Sequence, residues 1–142
     1  NITELCRSLL QRGHLVQVET NGVLDPPESF TCLKTSANRE TCRLCVVCSP
    51  KTSTVSNKMK DLVDAWKYVV CEGKVDEDGM PTSALGMSGK PARPTNANQI
   101  YIQPSDHKDE AVNAANMKAA VESCLQHGHR LCLQLHKIAG LA

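Results

Sequence analysis

The sequence predicts an α/β protein whose strands are mostly parallel. Short apolar runs rich in β-branched residues alternate with polar stretches, which is typical of strands separated by loops and helices. Near the end of the chain a strand, a helix and a second strand follow one another over residues 99–137, and such a βαβ unit joins two parallel strands. A chain of 142 residues is long enough for one domain with a hydrophobic core.

Five segments have the composition of strands, with β-branched and aromatic residues enriched. They are LVQVET (15–20), LCVVCSP (44–50), WKYVV (66–70), QIYIQP (99–104) and RLCLQLHK (130–137). The segment at 44–50 is apolar almost throughout, which predicts a parallel strand covered on both faces.

Three segments have the spacing of helices. Residues 3–12 carry leucines at helical intervals behind Thr3, a favourable residue for a helix start, and residues 58–65 carry a weaker helical pattern. Residues 109–127 begin with acidic side chains, repeat apolar ones three and four positions apart, and end at Gly128. These are the signals of a helix start, interior and end.

Two segments lack either pattern. Residues 25–41 are rich in turn-forming residues, and residues 71–98 contain four glycines and three prolines. A loop of 28 residues is unusual inside a compact domain, so we expect 71–98 to be a flexible insertion.

Charge and hydropathy name no partner. The net charge is +1, with 16 basic and 15 acidic residues and no block of like charge, so no nucleic-acid or membrane surface is predicted. No signal peptide and no apolar run of about 20 residues is present, which predicts a soluble cytoplasmic protein. The chain lacks an initial Met and opens inside a predicted helix, so we expect it to be part of a longer protein.

The eight cysteines raise the question of a metal site. Without a secretory signal they are expected to be reduced thiols, and Cys6, Cys71, Cys124 and Cys132 lie in apolar patterns typical of a core. Three further cysteines have a C-x-x-C-x-x-C spacing at Cys42, Cys45 and Cys48. If 42–48 is a strand rising ~3.3 Å per residue, these thiols point to opposite faces and cannot share one metal cluster. The alternative is a small metal-binding module that uses these three thiols with Cys32 or a histidine.

Polar side chains follow four of the predicted strands. They are Glu19–Gly22, Ser49–Lys51, Gln103–Asp106 and His136–Lys137. Ligands of parallel α/β sheets bind outside the carboxyl ends of the strands. The sequence therefore predicts one ligand-binding rim, although polar strand ends also occur wherever strands reach the surface.

These residues carry a resemblance to a known family. The ordered segments VETNG, SPK, WKYVV, IYIQPSD and CLQHGHRLCLQLHKIAGLA resemble the C-terminal half of the 7-carboxy-7-deazaguanine synthases, radical S-adenosylmethionine (SAM) enzymes of queuosine and deazapurine biosynthesis. The resemblance runs from about Leu15 to Ala142, with the two irregular segments outside it. It implies that residues 1–142 are the C-terminal portion of an incomplete (β/α) barrel of the radical SAM type, in an enzyme that is a homodimer.

The resemblance also implies a reaction and its cofactors. The family converts 6-carboxy-5,6,7,8-tetrahydropterin to 7-carboxy-7-deazaguanine with loss of ammonia, and uses SAM, a [4Fe–4S] cluster and Mg²⁺. The residues that match its SAM-binding motifs are Ser49, Pro50, Lys51, Gln103, Pro104, Ser105 and Asp106. The terminal carboxylate of Ala142 is expected near the pterin substrate, and neither a catalytic residue nor a metal ligand is assigned to this chain.

Physical roles for two of these residues remain open between binding and structure. Lys51 suits an anionic or hydroxyl-bearing group of the cofactor, but it also suits an ordinary surface position. Asp106 suits ribose hydroxyls or an ammonium group, but it also suits a helix N-cap.

One family motif is absent from these residues. The family's cluster ligands occupy a C-x-x-x-C-x-x-C loop, and no such spacing exists here. We therefore expect the chain by itself to be inactive. Half of another radical SAM enzyme, with a different substrate, is a further alternative.

Overall fold

Five parallel strands form the centre of the structure, in the order β1-β2-β3-β4-β5. The computed structural model describes residues 1–40, 43–84, 87, 89–95 and 99–140, without the side chains of 38–40, 137 and 138. The elements are α1 Ile2–Gln11, β1 Val16–Thr20, α2 Glu28–Glu40, β2 Leu44–Cys48, α3 Asn57–Lys60, β3 Ala65–Val70, β4 Gln99–Pro104, α4 Glu110–His127, β5 Arg130–Leu131 and α5 Leu135–Ile138. The predicted α/β class with parallel strands is confirmed, and the described strands form an open sheet, consistent with a partial barrel.

The two faces of the sheet differ. Every second side chain faces a core to which α1, α2 and α4 contribute, and among these Trp66, Tyr68 and Ile102 are completely buried. The alternate side chains, including Lys67 and Tyr101, line a cavity of about 350 Å³ on the other face. The apolar run of β2 is covered by helices on one face, and on the cavity face Val47 is buried while Cys45 is half-buried, largely as its composition predicted.

The prediction of an irregular segment at 25–41 was wrong, because residues 28–40 form helix α2. Phe30, Leu33 and Ala37 recur at helical spacing and pack against the core. The helix follows directly after Pro27, whose carbonyl accepts the N–H groups of Phe30 and Thr31. Polar residues between the apolar ones hid this pattern.

Two other elements are shorter than predicted. β5 covers only residues 130–131 of the predicted 130–137, because its pairing with β4 is limited to Tyr101↔Arg130 and Ile102↔Leu131. Residues 135–138 form the short helix α5 instead. The weak helical pattern at 58–65 yields the four-residue α3 and a turn before β3.

Parts of the long segment 71–98 contact the core. Arg93 pairs with Asp76 and Asp78, and the Tyr68 hydroxyl donates to the Ala92 carbonyl at 2.7 Å. The flexibility of this segment as a whole stays a prediction. In the described part of the chain, none of the helices combines the length and the apolar character needed to cross a membrane.

Candidate functional site

The carboxyl ends of four strands meet in one open groove of about 350 Å³. We call it the rim groove, and its lining residues are Glu19, Thr20, Asn21, Ser49, Lys51, Lys67, Val69 and Gln103. Three of the polar strand ends predicted to share a rim contribute to it. The volume lies within the range of about 300–1,000 Å³ that small-molecule sites occupy.

Backbone pairing beyond the strands draws the first two ends together. The Ser49 N–H donates to the Thr20 carbonyl at 2.7 Å, so parallel pairing continues one residue past β2. After β1 the chain turns at Gly22, whose N–H donates to the Thr20 hydroxyl. Gly22 has φ 75°, and a Cβ there would lie 2.7 Å from a methyl of Val55. The turn that shapes this side of the groove therefore requires glycine.

Lys51 presents its ammonium group inside the groove. Its side chain is half-buried, and Nζ donates to the Ser49 hydroxyl at 3.2 Å. Burial and the nearby charge of Lys67 lower the pKa of Lys51, while Glu19 opposes this shift. Lys51 is thus held as a hydrogen-bond donor beside Ser49, with Pro50 buried between them.

An ion pair forms a second part of the groove. Lys67 of β3 donates to a carboxylate oxygen of Glu19, and the Gln17 amide donates to the other oxygen at 3.1 Å. Lys67 was not among the site residues predicted from the sequence. A single lysine inside the apolar strand WKYVV is a signal that could have found it, because the strand register places it beside the groove.

The second of the two segments predicted to bind SAM is divided between two cavities. Gln103 lines the rim groove, but Pro104, Ser105 and Asp106 line a smaller cavity of about 120 Å³. Ser105 is buried, and its hydroxyl lies 3.3 Å from a ring nitrogen of His107. The motif therefore follows β4 from one cavity into the next.

Asp106 is not the N-cap of the following helix. That position is taken by Asp109, whose carboxylate accepts the N–H groups of Ala111 and Val112. Asp106 is exposed and accepts a hydrogen bond from the Asn113 amide at 3.2 Å. Asp106 therefore lies three residues before the N-cap position of α4.

Two other positions singled out from the sequence remain to be placed. Ala142, the expected substrate residue, lies outside the described residues. His136 is exposed and belongs to helix α5 rather than to a strand end, because β5 stops at Leu131.

The two described thiols of the C-x-x-C-x-x-C stretch lie on opposite faces of the sheet. Cys48 is completely buried in the helix-covered core, whereas Cys45 lines the cavity on the opposite face. Cys42 lies outside the described residues. Within the described ranges, no group of three His, Cys, Asp or Glu side chains is arranged to hold a metal ion.

Fold and groove together define an α/β protein with a polar groove of small-molecule size at the carboxyl ends of its parallel strands. Two curated relatives name the class more closely. The chain is 35% identical to the 7-carboxy-7-deazaguanine synthase of Rhodospirillum rubrum over 97% of its own length and 58% of that protein. It is 30% identical to the synthase of Rickettsia prowazekii over 96% of its own length and 52% of that protein.

The resemblance to 7-carboxy-7-deazaguanine synthases is thus confirmed. It extends beyond the predicted 15–142, since nearly the whole chain aligns. The chain spans about half the length of these relatives. No family model and no solved structure matches it.

The donor set of the rim groove fits one of the three implied cofactors. SAM carries a carboxylate, an ammonium, a sulfonium and ribose hydroxyls, and the groove offers a cation, a carboxylate, hydroxyls and an amide. An iron–sulfur cluster needs several converging thiolates, and Cys45 and Cys48 diverge. Mg²⁺ prefers carboxylates and waters in an octahedron, and the carboxylate of Glu19 is already paired.

Proposed function

We propose that this chain forms the SAM-binding rim of a radical lyase of the 7-carboxy-7-deazaguanine synthase type. The observation that carries the proposal is the convergence of Ser49, Lys51 and Gln103 on one groove in a chain so similar to these synthases. Bound SAM, given one electron by the iron–sulfur cluster, would supply methionine and a carbon radical, and the radical would remove a hydrogen atom from the substrate. The whole reaction is the conversion of 6-carboxy-5,6,7,8-tetrahydropterin to 7-carboxy-7-deazaguanine, as the resemblance implies.

The proposed task of the chain's own residues is to bind and orient the cofactor. Lys51 donates a charge-assisted hydrogen bond to an anionic or hydroxyl oxygen, and Ser49 holds its Nζ in place. Gln103 offers both a donor and an acceptor, and Asp106 accepts from hydroxyl or ammonium groups. The cluster and Mg²⁺ would be held by residues other than these, so the chain alone is expected to be inactive.

Binding of SAM to Lys51 variants tests the cofactor role. Ligand-detected NMR measures the affinity of the chain for SAM, and Lys51→Ala is expected to weaken it roughly tenfold through loss of one charge-assisted hydrogen bond. Lys118→Ala is the matched control, because Lys118 is an exposed lysine of α4 that pairs with Glu122 one helical turn away. Absence of SAM binding, or an equal loss in both variants, would contradict the proposal.

Complementation tests the reaction. The open reading frame that encodes this chain is expressed in cells lacking the synthase, and queuosine in transfer RNA is measured. The reading frame is expected to restore queuosine, its Lys51→Ala version to restore far less, and residues 1–142 alone to restore none. If the reading frame restores no queuosine although its protein is present at wild-type levels, the assignment of the substrate is contradicted.

A further inference from the structure

A buried asparagine connects the ends of β3 and β4. Asn116 of α4 is only 2% exposed, and both the oxygen and the nitrogen of its side-chain amide form hydrogen bonds. Its Oδ1 accepts the Glu72 N–H at 2.9 Å, and its Nδ2 donates to the Ser105 carbonyl at 2.9 Å. Glu72 follows β3 and Ser105 follows β4, so one side chain spans both strand ends.

A second asparagine, three residues earlier on α4, holds the segment that leaves β4. Asn113 Oδ1 accepts the His107 N–H at 2.7 Å, and its Nδ2 donates to the His107 carbonyl at 2.8 Å. The same Nδ2 lies 3.2 Å from a carboxylate oxygen of Asp106. Residues three apart lie on one helix face, so both amides meet the segment that leaves β4.

The chemistry of the amide explains why an asparagine stands at a buried position. Where parallel strands end, their last N–H and carbonyl groups lose the next ladder partner, and unpaired buried groups are costly. The Glu72 N–H needs an acceptor and the Ser105 carbonyl needs a donor. A primary amide provides both from a single side chain, whereas a carboxylate or an apolar residue of similar size does not.

This connection lies next to the proposed cofactor site. Ser105 is two residues after Gln103, which lines the rim groove. Ser105 itself lines the smaller cavity, together with Asp106. We propose that Asn116 is a positioning residue, which fixes the end of β4 where Gln103 lines the rim groove and Asp106 lines the smaller cavity. This inference rests on the proposed SAM site and adds a residue that touches neither the ligand nor the groove.

Asn116→Asp tests the inference through pH. In this variant the protonated carboxyl group would still donate to the Ser105 carbonyl, but the ionised carboxylate would only accept and would repel that oxygen. SAM affinity of the variant is expected to be about tenfold below wild type near pH 8 and within about threefold of it near pH 5.5. Expressing affinity as the variant-to-wild-type ratio cancels the titration of neighbouring Glu72, Lys74, Asp106 and His107.

Two further variants complete the design. Gln126→Glu makes the same amide-to-acid change at an exposed position of α4 and is expected to keep a flat ratio across this pH range. Asn113→Ala removes the second amide that holds the segment leaving β4, from a partly exposed position, so it still tests whether this segment positions the ligand if Asn116→Asp unfolds. It is expected to weaken SAM binding severalfold without a change in the pH profile.

Amide hydrogen exchange separates failure of the inference from failure of the proposed function. In Asn116→Asp the Ser105 end of the connection is expected to loosen near pH 8. Amide exchange at Ser105 and His107 is then expected to be faster than in wild type near pH 8 and equal to wild type near pH 5.5. A pH-independent affinity ratio together with unchanged exchange would overturn the positioning role. A wild-type chain that binds no SAM would overturn the proposed function instead, with exchange still deciding whether Asn116 fixes the strand ends.

Discussion

At the scale of single residues, the buried groups of the core dictate how the protein responds to alkaline pH. Cys48 is completely buried, and burial raises its pKa to about 11. Burial also raises the pKa of Tyr68, which lies in the same core. Because the folded state keeps these protons longer than the unfolded chain does, the free energy of unfolding falls as pH rises through this window.

The slope of stability between about pH 9 and 11 provides the first prediction at this scale. Urea denaturation across this range should show that Cys48 contributes about 2–3 kcal/mol of the loss, because raising its pKa from 9.0 to about 11 is worth about 1.4 kcal/mol for each pH unit between the two values. Cys48→Ala is expected to lower stability at neutral pH but to flatten the slope. Cys32→Ala, at an exposed position, should leave the slope as it is; equal slopes in wild type and Cys48→Ala would contradict the assignment.

At the scale of elements, a buried lysine attaches α2 to the sheet. Lys34 has a side chain only 4% exposed, and its Nζ donates to the Leu44 carbonyl at 2.7 Å and to both carboxylate oxygens of Asp64. Asp64 in turn accepts the Val46 N–H at 2.7 Å. The helix is therefore connected to the amino-terminal ends of β2 and β3, opposite the rim groove.

Lys34→Met is expected to destabilise the protein by about 2–3 kcal/mol, below the cost of breaking a fully buried pair because Asp64 is partly exposed. The substitution fills the space but leaves the Leu44 carbonyl and the Asp64 carboxylate without their cation. Urea denaturation measures the loss, and Lys118→Met on the surface of α4 provides the control. Recovery of stability in the double variant Lys34→Met/Asp64→Asn is expected, and a cost no larger than that of the control would refute this role.

At the scale of the whole molecule, the sheet has an exposed edge among its described strands. β1 pairs with β2 on one side only, and Leu15, which precedes it, is 80% exposed. Unpaired strand edges beside apolar side chains promote pairing between chains. Ile2 and Leu5 of α1 are also exposed, which enlarges the apolar surface of the molecule.

We expect residues 1–142 alone to self-associate as concentration rises, and Leu15→Lys to reduce this association. A charge beside the edge strand opposes the approach of a second strand. Light scattering after size-exclusion chromatography measures the mass. Leu24→Lys is the matched control because Leu24 is 78% exposed but lies after β1 in a loop; an equal effect of both variants would count against association through β1.

The sequence determined by itself those features that depend on short-range pattern. Apolar runs rich in β-branched and aromatic residues located β1 to β4, and the acidic start and Gly128 located α4. The strand-end rule also selected Ser49, Lys51 and Gln103, which line one groove. The order of short motifs identified the relatives that share nearly the whole chain.

Only the tertiary structure decided those features that depend on partners distant in the chain. β5 is short because its length is set by pairing with β4, and Asp109 rather than Asp106 caps α4 because the chain leaves β4 through an extended connection. Lys67 enters the groove through strand register, and Asn116 meets Glu72 from 44 residues away. Local propensity and periodicity report a residue's own backbone and face, whereas register and helix docking depend on free energies shared between distant segments, so these positions emerged only once the chain was folded.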